Sequence, residues 1–183
     1  MPPCLDVYVW VPKPNSEVFR RFIDGYVNVD DPDDERFHAF RRIHVLGIAN
    51  DADDKALDKL RFEDGDDAFT LYLRARDHYQ AIITVTRDGA TVLGLSVDAP
   101  DDLSETLRQA EQLIEQLRQQ FSAPAGLTGV ELPPATDRSE WYKEGLVLLR
   151  TGELPHLDPD TTHHLIRRQG HSPRRRLLVQ FGR

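Results

Sequence analysis

Three short apolar runs, joined by links too short for a crossover, constrain what this chain can fold into more than any other feature. FTLYLR (69–74), YQAIITVT (79–86) and TVLGLSV (91–97) are rich in β-branched and aromatic residues. The last two are joined by Arg87-Asp88-Gly89-Ala90, whose Asp-Gly pair is a strong hairpin signal. Parallel neighbours need a connection of about a dozen residues or more, so the stretch predicts an antiparallel meander over 69–97.

An earlier run joins it. Leu5, Val7, Val9 and Val11 alternate with Asp6, Tyr8 and Trp10, which predicts a strand with one core face and one aromatic, partly polar face. The expected fold class is α+β: an antiparallel sheet of at least four strands with helices packed on it. The best helix is 101–121, where Leu103, Leu107, Ala110, Leu113, Ile114, Leu117 and Phe121 form one stripe. Asn15 or Ser16 caps a helix burying Phe19, Phe22 and Tyr26, and Asp33 or Asp34 caps another carrying Phe37, Phe40 and Ile43. Residues 43–49 fit a strand as an alternative, and 53–61 predicts a short helix burying Leu57 and Leu60. Residues 126–132 predict a short strand. From Arg138 to Arg150 the spacing predicts a helix burying Trp141, Leu146 and Leu149, with Gly152 ending it.

Charge divides the chain. Residues 1–160 hold all 31 acidic groups against 17 basic ones, a net −14, while 161–183 hold six arginines and no acid, +6. We read 1–160 as an acidic α+β domain and 161–183 as a basic helix–strand element of the same domain, with a capped helix from Asp160 or Thr161 and a strand over 174–181. The single cysteine, Cys4, rules out an intramolecular disulfide and a multi-cysteine zinc site. The N-terminal run has no basic leader and is broken by Asp6 and Pro12, which predicts a cytoplasmic protein with no membrane span. The preference for Asp over Glu and Arg over Lys fits a GC-rich bacterial genome.

No motif identifies a reaction. A calcium loop counted from Asp51 requires Gly where Ala56 stands and Glu where Phe62 stands, so the acids Asp51, Asp53, Asp54, Glu63, Asp64, Asp66 and Asp67 read as caps and a solvated face. His156, His163, His164 and His171 show no chelating pair four residues apart, and His38 and His44 read as helix-surface residues. Neither a phosphate loop nor a nucleophile elbow occurs, so no metal and no cofactor is expected.

What remains is surface charge. In size and charge the chain is similar to small acidic bacterial immunity proteins, and the likeness implies a non-catalytic inhibitor of a basic toxin or nuclease. An acidic surface speeds encounter with a basic protein and repels nucleic acid. The expected contact residues are Asp51, Asp53, Asp54, Glu63, Asp64, Asp66 and Asp67, helped by exposed Tyr8, Trp10 and Tyr72 on the sheet's second face. The alternative is an enzyme of unknown reaction whose site gathers Asp158, His163, His164 and Arg167. The arginine tail is expected to pack on the acid-rich region of its own chain or of a second copy, which makes a homo-oligomer an open outcome.

Overall fold

In the computed structural model the chain is described over residues 3–30, 34–48, 50–64, 68–98 and 103–157, with the backbone alone described at 60–64. The protein is α+β, and its sheet has six antiparallel strands, two more than the minimum expected from sequence. β1 (Cys4–Val11) lies inside the sheet, between β4 (Thr91–Asp98) and β5 (Ala125–Val130). β2 (Phe69–Arg74) and β3 (Gln80–Val85) extend the β4 side as the meander, and β6 (Val147–Gly152) forms the opposite edge. The full order is β2-β3-β4-β1-β5-β6.

Helices cover the face that carries Leu5, Val7, Val9 and Val11. α1 (Ser16–Tyr26) starts where the Asn15 side chain accepts the Val18 N–H, and it buries Phe19, Phe22, Ile23 and Tyr26. α2 (Glu35–Arg41) is capped by Asp34, which accepts from the N–H groups of Arg36 and Phe37. α3 (Asp51–Asp64) adds Leu57 to the core, and α4 (Leu103–Phe121) lays Ala110, Leu113, Ile114, Leu117 and Phe121 across β1 and β5. After α1 the chain runs beside the far end of β2, where Asn28 donates to the Arg74 carbonyl at 2.8 Å and Arg76 to that of Tyr26 at 3.0 Å.

Three local expectations are corrected. Residues 43–48 form no strand, because Arg42–Leu46 continues α2 as a π-helical turn in which His44 stacks on Phe40 at 4.6 Å. His44 is therefore a partly buried packing residue rather than a surface one. The helix expected over 138–150 stops after one turn, α5 (Arg138–Trp141). Gly145 then takes φ 100°, which no helix accommodates, and Val147 to Gly152 pair with the otherwise open edge of β5, so Leu146 is exposed and Leu149 packs from a strand. Leu103 is 51% exposed, since α4 meets the sheet only about one turn further on, and Thr106 is buried in its place. The helix and strand expected over 160–181 lie outside the described residues.

Candidate functional site

The second face of the sheet is built from three rows of cross-strand neighbours. One row runs Arg74, Gln80, Ser96, Asp6 and Gly129; the next runs Tyr72, Ile82, Gly94, Tyr8 and Leu127; the third runs Thr70, Thr84, Val92, Trp10 and Ala125. Over the β1–β5 half of this face lies the segment 131–146, whose Leu132, Ala135 and Trp141 join Val147 of β6 and Leu154 in a second, smaller core.

That segment overturns the exposure expected for Tyr8 and Trp10. Both are buried: Trp10 meets Trp141 edge-on at 5.5 Å, and the Tyr8 hydroxyl donates to the Leu132 carbonyl at 2.6 Å. Gly94 makes room for the Tyr8 ring, since a Cβ there would stand 2.4 Å from two of its carbons. Tyr72, out on edge strand β2, is the one of the three that is exposed, at 53%. Sequence alternation identifies the face of a residue, whereas what covers that face is decided by a segment more than a hundred residues away.

Two adjoining clefts open where the cover ends, and Tyr8, Tyr72, Leu132 and Pro133 line both. The first, about 380 Å³, runs between the sheet and the 132–147 segment and includes Thr70, Glu140, Lys143 and Glu144. Burial works against the charged form of the Glu140 carboxylate, but the N–H and hydroxyl of Thr136, at 2.9 and 2.7 Å, outweigh it and hold its pKa below the ordinary value. The second cleft, about 360 Å³, is lined by Cys4, Asp6, Tyr79, Gln80, Ser96 and Glu131 as well.

Asp6 is the unusual group in this second cleft. It is only 8% exposed, accepts the Ser96 hydroxyl at 2.5 Å and the backbone N–H of Leu132, and makes no ion pair among the described residues. Burial pushes its pKa up, the two hydrogen bonds pull it down, and nearby Glu131 adds to the rise; burial prevails. Cys4 beside it is held as a thiol, raised first by burial and then by Asp98, Asp6 and Glu131, which disfavours a nucleophilic thiolate. An acid inside an otherwise apolar and aromatic strand is the sequence signal that points to Asp6.

The acid-rich region is less uniform than its composition suggests. Asp51 and Asp54 are exposed in the first turn of α3, where the helix dipole favours acids. Asp53 is not part of a solvated face: it is 1% exposed, is ion-paired to Arg42, and exchanges capping bonds with Asn50. Arg42 holds the Asp53 carboxyl below its ordinary pKa, against the opposing effect of burial. The side chains of Glu63 and Asp64, and residues 66 and 67 altogether, lie outside the described residues.

No family model matches the chain, and no curated protein or solved structure matches it either. The site must be read from its own chemistry. Among the described residues no group of three or more His, Cys, Asp or Glu side chains could hold a metal ion, and no helix is long and apolar enough to cross a membrane. Of the alternative catalytic set, residues 158, 163, 164 and 167 all fall outside the described residues. The clefts combine exposed tyrosines with carboxylates, an arrangement suited to binding cationic groups.

Proposed function

We propose that this is a non-catalytic binding protein that docks a basic protein partner, as an immunity-type inhibitor of a basic toxin or nuclease would. One observation carries the reading. The open part of the sheet's second face pairs exposed aromatic surface, Tyr72 and Tyr79, with exposed acids, Glu131 and Glu144, that line two clefts. Large aromatics beside charges are the usual anchors of protein interfaces, and acids beside them steer a cationic partner toward them. Asp51 and Asp54 remain available as exposed acids of the wider field, whereas Asp53 is committed to Arg42.

The test is retention of a stoichiometric basic protein by the tagged full chain, followed by affinity measurements on the purified pair. Tyr72→Ala and Tyr79→Ala are expected to raise the dissociation constant at least about tenfold, the range of interface hot spots. Replacing Asp51 and Asp54 with lysine should slow association and leave dissociation nearly unchanged. If no basic protein is retained at low salt, or if the tyrosine variants bind as the unmodified chain does, this reading is wrong.

A further inference from the structure

Resting on that reading, we infer that the cleft around Asp6 is the seat of an arginine side chain presented by the basic partner. A buried carboxylate is expensive to keep charged, and proteins ordinarily answer that with a cation or metal, or by protonation. Asp53 shows the usual solution in this same molecule: its carboxylate is also shielded from solvent, and it has Arg42 against it. Among the described residues no such cation stands by Asp6. The basic side chain in its own row, Arg74, is three strands away, about 14 Å at strand spacing, with Gln80 and Ser96 between.

The two hydrogen bonds that Asp6 does make require no charge. An asparagine could accept the same two bonds from Ser96 and the Leu132 N–H while avoiding the burial penalty of a carboxylate. A carboxylate offers about four acceptor positions, so capacity remains after two are used. That capacity lies in a cleft of about 360 Å³, where Tyr72 and Tyr79, 53% and 52% exposed, supply ring surface and Gln80 supplies a polar side chain. A planar guanidinium suits this setting better than an ammonium, because it donates in a fixed fork to a carboxylate while stacking on aromatic faces. Among the described residues the remaining ionisable groups near Asp6 are Cys4 and Tyr8 on its own strand, Asp98 on β4 and Glu131 after β5, none of them a cation.

The experiment is an amide-resolved NMR titration of the full chain, at low ionic strength, with acetyl-Gly-Arg-Gly-amide. The control peptide carries citrulline, which has nearly the shape of arginine without its charge. Saturable shifts are expected at Asp6, Tyr72, Tyr79, Gln80 and Ser96, with at least tenfold weaker binding of the citrulline peptide. Asp6→Asn is expected to weaken the arginine peptide at least tenfold, and Tyr79→Ala, an exposed position that leaves the core intact, several-fold. Equal binding of the two peptides, unchanged affinity in Asp6→Asn, or shifts confined to 51–64 would overturn the proposal. A tenfold gain in peptide affinity when Arg174, Arg175 and Arg176 are all replaced by alanine would assign the cleft to the chain's own tail and overturn it equally. Failure here is separable from failure of the binding reading. A basic partner held as tightly by Asp6→Asn as by the parent sinks only the arginine seat, while a saturable arginine site with no retained basic protein sinks only the partner.

Discussion

Two buried aspartates in one small protein, tuned in opposite directions, set the residue-scale expectations. Asp53 is held below its ordinary pKa by Arg42, so its stabilising contribution is present above that ordinary value and is lost as pH falls through the lowered one. Asp6 runs the other way. Its folded-state pKa is raised, chiefly by burial, so its contribution is complete below the ordinary value and is lost as pH rises through the raised one. At neutral pH Asp6 is therefore a burden on the fold. Asp6→Asn is expected to raise the melting temperature by roughly 2–4 °C at pH 7, the shift typical of about 1 kcal/mol in a domain of this size, and to lose that advantage in acid; a thermal melt at several pH values checks it. Asp53→Asn should lower the melting temperature by more than its exposed neighbour Asp51→Asn does, with the difference shrinking below the ordinary carboxylate pKa. Sequence alone treats these acids by neighbourhood, placing Asp53 in a solvated cluster and Asp6 in a strand. Their pairing depends on Arg42, Ser96 and Leu132, which local composition does not associate with them.

Elements were legible where periodicity alone decides them. The meander, the first strand, the Asn15 and Asp34 caps and most of the α4 stripe follow from alternation, from helical spacing and from short polar side chains at helix starts. Failure came where one apolar pattern suits two structures. Residues 138–150 contain both a capped turn and a strand, and the choice falls to the unpaired edge of β5, a tertiary demand that local spacing does not express. The cover on the second face is tied at one end by Tyr8 and at the other by the Arg87–Asp137 ion pair and the Arg138 N–H on Asp88, which gives it its own test. Tyr8→Phe removes the hydroxyl that holds Leu132 and is expected to destabilise by about 0.5–1.5 kcal/mol in a denaturant melt, the net value of one such bond. Leu117→Ala, at a fully buried site on the core face of α4, is expected to cost about 2–5 kcal/mol by the same measurement. Accelerated amide exchange across 131–146 in Tyr8→Phe, but not across α4, would mark the cover as a separately opening unit.

For the whole molecule, the net −8 matters chiefly through encounter with a partner. Association with a basic protein should slow at least tenfold between low and several-fold physiological salt in stopped-flow measurements, while dissociation changes far less. The position of β1 bears on how the molecule is made. Cys4 pairs with Asp98, and Leu5 with Val130, so β1 is synthesised long before either neighbour exists. At about 5–20 residues per second, the wait for β4 alone is roughly 5–20 s. Throughout that interval LDVYVWV trails from the ribosome as an apolar, β-prone ribbon with both edges bare, the kind of segment that chaperones shield and that aggregates when they do not.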